Sequence, residues 1–383
     1  MEKIKVGLFS QYYPIYREGV FRHLLASSDF DFSFFAGPPP RDGFIIEINL
    51  GEDKFHPIQI FKLHIPGTKN YVTYRSRVIS SFIKHQFDIF VLSNDILGID
   101  IWICAILSKF RKVPLILWGQ GISRPPTRFR DTLRYLLTSL TSAALYYTEG
   151  GKAYWVDRGI PKEKLFVAYN SLDTDKQIFT RENLSQNDLN TFLDAQNLHN
   201  KSVVTFLGRL IPEKKPWIFL ESIQKTLIIE PDIIGLFIGD GPERQQLENQ
   251  ARKLGIYESV RFVGAVYDEN ILAKYLLSSI AVVIPAFSGL AIQHAAVYGT
   301  PLVLGDLPNS HGPEQEIVVH EITGIRCPDE DVGAFASAII RLIQDRNFRR
   351  TLSDNLLSVI DEKYNVQRMA QGFFDAIEYC IRE

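Results

Sequence analysis

A chain of 383 residues is too long for a single hydrophobic core, so two domains of similar size are expected. With 46% apolar and 22% charged residues and a net charge of −2, the composition is that of a soluble globular protein, and the near-neutral balance argues against nucleic acid as the main partner. The three cysteines, Cys104, Cys327 and Cys380, are far apart, odd in number and without CxxC spacing, which suggests a reducing compartment and no zinc site. The N-terminal apolar run is too short for a signal peptide. The longest apolar stretches, around 96–107 and 136–147, fall short of the ~20 residues of a spanning helix, so a cytoplasmic chain that does not cross a membrane is expected.

Buried-strand runs fall at 4–10, 30–36, 87–93, 115–118, 144–148 and 165–169. Helical patterns lie between them near 16–26, 75–84, 98–110, 128–140 and 151–158. This alternation predicts a doubly wound parallel sheet. Pro38-Pro39-Pro40 and residues 49–57 read as loops or short edge strands. After Trp118-Gly119-Gln120-Gly121 come Arg124, Arg128, Arg130 and Arg134, interleaved with Phe129, Leu133, Tyr135 and Leu136. Such a helix either lies on an anionic membrane surface or packs on its own domain with a solvated basic face.

Residues 171–201 are polar, rich in Asn and Asp, and read as a linker with one surface helix, which places the domain boundary there. A second alternation follows, with strands at 203–207, 233–238, 260–263, 280–285 and 301–305. The last helices are expected at 331–345, 348–362 and 367–382, the final one amphipathic with Met369, Phe373, Phe374 and Ile377 on one side. Two doubly wound domains in tandem allow both carboxyl edges to face one cleft, where ligands bind in such folds.

Residues 280–298 read as strand, turn and helix: Ser288 can cap the helix, and Gly289 lets backbone approach an anion over the helix N-terminus. An ordinary βαβ turn gives the same pattern. Gly208 ends another strand and is followed by Arg209 and Lys214. Both cations could point toward a diphosphate, or the segment is a solvated basic loop. The turn at Gly239-Asp240-Gly241-Pro242 lacks GxGxxG spacing. Phe262-Val263-Gly264 is a strand tip whose backbone could read a nucleobase edge. His294 is either an interior hydrogen-bonded residue or a ligand to a hydroxyl. There is no Ser/His/Asp arrangement, HExxH or P-loop.

These segments together resemble the family 4 nucleotide-sugar glycosyltransferases over most of the chain. The resemblance is carried by Gly208-Arg209-Leu210 with Pro212-Glu213-Lys214, Gly239-Asp240-Gly241-Pro242-Glu243-Arg244, Arg261-Phe262-Val263-Gly264, Gly299-Thr300-Pro301, Pro313-Glu314 and Thr323-Gly324. Tyr169-Asn170-Ser171-Leu172-Asp173 looks like that family's transition between domains. Residues 12–18, 118–121 and 147–151 look like its bacterial surface-polysaccharide branch.

The resemblance implies the α/β fold known as GT-B, two Rossmann-like doubly wound domains facing a central cleft. Residues 1–175 would form the acceptor domain, 176–365 the nucleotide-sugar donor domain, and 366–383 a helix crossing back to the first. It implies a retaining transferase without a metal cofactor, in which Arg209 and Lys214 neutralise the leaving diphosphate. Gly208, Gly239, Phe262, Val263, Ser288, Gly289, Leu290, His294 and Glu314 would line the donor site. Tyr16, Arg17, Gln120, Gly121 and Arg124 are the acceptor-side candidates. The implied partners are a nucleotide-diphosphate sugar and a glycan or polyprenyl-linked acceptor, with peripheral contact at the cytoplasmic membrane face and no nucleic acid.

The chain departs from the family pattern at several points, among them a longer turn at Asn309-Ser310-His311-Gly312. Ala286 and His294 stand where two glutamates usually bracket the glycine turn, and Gln120 stands near a common histidine. Two other readings follow: a non-catalytic protein of the same fold that binds a nucleotide or a partner, and a transferase that uses a small soluble acceptor.

Overall fold

The computed structural model describes residues 2–38, 53–68, 70–122, 127–307 and 310–382. The chain divides into two compact units, residues 1–173 with 364–383, and residues 174–363.

In the first unit the strands are β1 (Ile4–Ser10), β2 (Phe30–Ala36), β3 (Phe55–Pro57), β4 (Ile60–His64), β5 (Tyr71–Arg75), β6 (Ile89–Ser93), β7 (Leu115–Gly119), β8 (Ala143–Tyr146) and β9 (Leu165–Val167). All but β4 and β5 form a parallel sheet in the order β3-β2-β1-β6-β7-β8-β9. The apolar runs of the central strands β6, β7 and β8 explain this, because a strand covered on both faces has little polar side to show. Helices Glu18–Leu25 and Val366–Arg382 cover one face, where Val20, Phe21, Leu24, Met369, Phe373 and Ile377 join one buried cluster. Helices Val78–Ile83, Ile99–Arg111, Arg128–Leu140 and Glu149–Val156 cover the other, around Phe82, Ile101, Cys104, Leu137 and Trp155.

Strands β4 and β5 form an antiparallel hairpin that the sequence reading did not anticipate. Its inward face carries Thr73 and Arg75, both buried, rather than an apolar set. Arg75 is held by Asp100 at 2.8 Å and by Ser93 Oγ at 2.8 Å, which ties the hairpin to the sheet.

In the second unit, β10 (Ser202–Leu207), β11 (Ile233–Ile238), β12 (Val260–Gly264), β13 (Ala281–Ile284), β14 (Leu302–Gly305) and β15 (Gly324–Cys327) pair in parallel in the order β12-β11-β10-β13-β14-β15. The order reverses between β10 and β13, the position at which ligands bind in open α/β sheets. Strand β15 was not expected, being four residues interrupted by Arg326.

Residues 174–195 hold two helices, Thr174–Asn183 and Gln186–Ala195, in place of one. The first buries Thr174, Gln177 and Thr180, a polar face that hydrophobic periodicity cannot register. Among the described residues no helix is long and apolar enough to cross a membrane.

Candidate functional site

The loops at the reversal point of the second sheet are built on backbone pairing. Gly208 donates its N–H to Ile238 O at 2.9 Å, Leu210 N–H goes to Asp240 O at 2.9 Å, and Gly239 N–H goes to Gly264 O at 2.8 Å. Gly239 adopts φ 141°, and a Cβ there would collide with the carbonyl oxygen of Gly208. Glycine is therefore required for the two strand-end turns to dock.

Arg209 is exposed at the tip of β10, and Lys214 ends the 3₁₀ turn Pro212–Lys214. The Lys214 side chain runs over Gly208, and its Nζ donates to the carbonyl oxygen of Phe287 in the loop after β13. Burial, and then the Arg209 charge, bring the Lys214 pKa down to about 8. The two cations predicted from sequence thus sit close enough to repel, both in the loop after β10 at the reversal point. Such a pair is stabilised by an anion placed between or above it.

The loop after β13 holds two residues in the left-handed region, Phe287 at φ 47° and Gly289 at φ 53°. Ser288 lies between them and is buried; its Oγ has no hydrogen-bond partner among the described residues. The helix begins at Ala291, with no side-chain cap. The expected capping role of Ser288 is therefore not realised, because two left-handed residues carry it outside the first turn. That helix, Ala291–Val297, is only seven residues long, so Arg209 and Lys214 are the stronger attraction for an anion.

Ser288 N–H donates instead to His311 Nδ1 at 3.2 Å, while His311 Nε2 lies 2.6 Å from Gly305 O. A carbonyl can only accept, so His311 carries its proton on Nε2 and accepts on Nδ1. It is a neutral staple between the ends of β13 and β14. Leu290, which follows Gly289, is half-buried.

His294 lies on the same short helix. Its Nδ1 is 3.0 Å from Gln177 Nε2 and 3.9 Å from Glu269 Oε1. Glu269 also accepts from Tyr298 OH at 2.5 Å and from Gln177 Nε2 at 3.1 Å. Burial lowers the His294 pKa, with Glu269 opposing. Nδ1 is thus the acceptor, and Nε2 the donor left for another group. Sequence reading missed Gln177, whose only signal was the polar spacing Thr174, Gln177, Thr180. Glu314, on the 3₁₀ turn Pro313–Ile317, is buried with its carboxylate folded over Gly312.

At the tip of β12, Phe262 stacks on Phe237 with ring centroids 4.6 Å apart. The Phe262 carbonyl accepts from Arg244 Nη2 at 3.1 Å and the Gly264 carbonyl from Gly239 N–H, with half-buried Val263 between them.

The acceptor-side candidates lie in the first unit. Tyr16 is half-buried, Gln120 is exposed at the end of β7, and Arg124 lies outside the described residues. Gly121 is buried at φ 78°, its carbonyl accepting from Trp155 Nε1 at 2.8 Å. Arg17 is interior: it donates to Asn170 Oδ1 at 2.7 Å and Tyr147 OH at 3.2 Å, with its guanidinium 5.0 Å from the Trp118 ring centroid. It ties the first turn to the strand ends.

At the reversal point of the first sheet sit two residues that sequence reading passed over. Asp95 accepts from Thr73 Oγ1 at 2.6 Å and Gln11 Nε2 at 3.1 Å. Asn94 buries both side-chain polar atoms without partners among the described residues, as does Trp118 Nε1. Their position directly after a buried run, at Ser93-Asn94-Asp95, was the available signal.

Residues 190–357 match the family described as glycosyl transferases group 1. An uncharacterised glycosyltransferase of Methanocaldococcus jannaschii is 28% identical over 55% of this chain and 53% of its own length. The 2-deoxystreptamine N-acetyl-D-glucosaminyltransferase of Niallia circulans is 26% identical over 50% of this chain and 51% of its own. The chain spans about half the length of these curated relatives. Among solved structures, Anabaena HepE in complex with UDP superposes with a TM-score of 0.72 at 17% identity, covering 98% of this chain and 100% of that one. The fold is therefore GT-B, and the match to glycosyl transferases group 1 falls wholly within the second unit.

Proposed function

We propose that the protein is a glycosyltransferase that takes a sugar from a nucleotide-diphosphate sugar and passes it, with retention of anomeric configuration, to a lipid-linked acceptor of a growing surface polysaccharide. The observation that carries this reading is the paired cation arrangement at the sheet reversal, Arg209 beside a half-buried Lys214 whose pKa is depressed to about 8. Both cations would contact the donor diphosphate and gain strength as the sugar bond breaks and charge grows on the leaving group. The reading assigns that neutralisation to side chains and requires no metal cofactor. His294 Nε2 would donate to a ribose hydroxyl, and peptide groups of Phe262, Val263 and Gly264 would meet the base. HepE was solved with UDP and with UDP-glucose, which makes UDP-sugars the first donors to test. The reading places the protein in the cytoplasm, at the inner membrane face.

The test is release of nucleoside diphosphate from UDP-, GDP- and ADP-sugars by the purified chain, with and without a polyprenyl-diphosphate-linked glycan. One donor should be consumed faster with the acceptor present. Replacement of Arg209 or Lys214 by Ala should lower turnover at least ~10²-fold. Wild-type-like rates in both variants would refute the roles assigned.

A second reading has its own observation. Ala286 is fully buried and apolar, so the donor sugar has no carboxylate at that position. Nucleotide binding without any turnover would favour a non-catalytic binding protein.

A further inference from the structure

The chain segregates its charge. Between Gln59 and Leu140 stand twelve lysines and arginines against four aspartates and no glutamate, in a protein whose overall charge is −2. Lys69 and Arg124 of this set lie outside the described residues. Arg75 and Arg134 are buried, while Lys62, Lys84, Lys109, Arg111, Lys112 and Arg128 are exposed.

The four aspartates are already engaged within the fold. Asp100 holds Arg75 at 2.8 Å, and Asp95 accepts from Thr73 at 2.6 Å. Asp131 accepts from Tyr154 OH at 2.5 Å, and Asp88 from the Lys5 N–H at 2.8 Å. Of the four only Asp88 is exposed, against the six exposed cations named above, so the exposed charge of this segment is strongly positive.

The same layer presents apolar side chains outward. Side chains alternate across a strand, so with Thr73 and Arg75 facing in, Phe61 and Leu63 and their cross-strand partners Tyr74 and Val72 face out. A solvated hairpin normally shows a polar outer face. Leu63 is 73% exposed. Helix Ile99–Arg111 packs against β5 and continues the pattern with Ile106 and with Phe110, which is 81% exposed. Helix Arg128–Leu140 packs beside it and adds Phe129 and Leu136, and its Arg130 reaches the hairpin turn through Asn70 Oδ1 at 3.0 Å.

We infer that this layer of the first unit is a docking surface for an anionic lipid bilayer. Apolar side chains would enter the headgroup boundary while the surrounding cations neutralise lipid phosphates. Bulky aliphatic and aromatic residues among the cations favour lipid over nucleic acid, whose backbone offers no apolar partner for Leu63 or Ile106. The inference deepens the acceptor reading above, on which it rests for its purpose: a bilayer delivers a lipid-linked acceptor to the unit that would bind it.

The test is flotation of the full chain with vesicles of phosphatidylglycerol and phosphatidylcholine in equal parts, and with phosphatidylcholine alone. Partitioning to the anionic vesicles should be at least ~10-fold stronger than to the neutral ones and should weaken as salt rises. Lys109→Glu with Lys112→Glu, and separately Leu63→Ser with Phe110→Ser, should each reduce it at least ~10-fold, with thermal midpoints near the wild type because all four positions are exposed. Absence of partitioning, equal partitioning to both vesicle types, or variants that bind as the wild type would overturn the inference. So would single-stranded RNA binding lost in the lysine variant but kept in the apolar one, which would mark a nucleic-acid surface. Flotation without turnover of any nucleotide sugar would remove the catalytic reading and leave the surface standing. Turnover by a chain that stays in the bottom fraction would do the reverse.

Discussion

The ammonium group of Lys214 donates to the backbone carbonyl of Phe287, so a side chain from the loop after β10 reaches across the sheet reversal to the loop after β13. Phe287 is held there at φ 47°, a conformation that non-glycine residues rarely adopt. A strained residue and a half-buried cation meeting at the one place where an open sheet admits ligands is the arrangement on which the functional account stands.

That cation gives a pH signature. With the Lys214 pKa at about 8, the ligand-free chain loses the charge as pH rises through that value. The expected result is a kcat/KM for donor that is flat below pH 8 and falls above it, since this parameter follows the free enzyme. Lys214→Arg should move the fall to higher pH, and a profile unchanged by that substitution would remove Lys214 from donor binding. The sign for stability is opposite to that of an ordinary salt-bridged lysine. Below pH 8 both states hold the proton and burial of the charge opposes folding; between about 8 and 10.5 only the unfolded state holds it, so this opposition fades as pH rises.

The glycine turns should separate by kind. Gly239→Ala places a methyl against the Gly208 carbonyl at φ 141°, so the strand-end turns must part; the unfolding midpoint should drop by the equivalent of at least ~3 kcal/mol. Gly289→Ala meets nothing nearby and bears only the left-handed penalty, about 1–2 kcal/mol. Chemical denaturation of both variants checks the order, and equal losses would contradict the docking role of Gly239.

His311 is a structural staple with a functional consequence. Its removal in His311→Ala leaves the buried Ser288 N–H and the Gly305 carbonyl each short of a partner, at a cost of about 1–3 kcal/mol each. The turn bearing Phe287 and Gly289 should loosen, and donor KM should rise alongside the loss in unfolding midpoint. Unaltered KM in a destabilised variant would confine His311 to the fold.

What the sequence disclosed follows from what each element buries. Strands β10 and β11 were legible because they are almost wholly apolar, β1 and β2 because polar Lys5, Asp31 and Ser33 merely interrupt otherwise apolar runs, and helix Arg128–Leu140 was placed to the residue. The hairpin Ile60–His64 with Tyr71–Arg75 was hidden because its buried face is Thr73 and Arg75 while its apolar face points outward, the inverse of the pattern sought. Helix Thr174–Asn183 was hidden for a related reason, burying Thr174, Gln177 and Thr180. At the site, Arg209 and Lys214 were found through their place after a strand and Gly208. The partners that fix the surrounding turns, His311 for Ser288 and Gln177 for His294, come from 23 and 117 residues away and carry no local spacing to read.

The most direct test of the central claim is the dissociation constant for UDP, UMP and uridine, measured by titration calorimetry on the wild type and on Lys214→Ala. If Arg209 and Lys214 hold a donor diphosphate, the wild type should prefer UDP over UMP at least ~10-fold, and Lys214→Ala should lose most of that preference while binding uridine as before. Equal affinity for UDP and UMP in the wild type, or a preference that survives in Lys214→Ala, would contradict it.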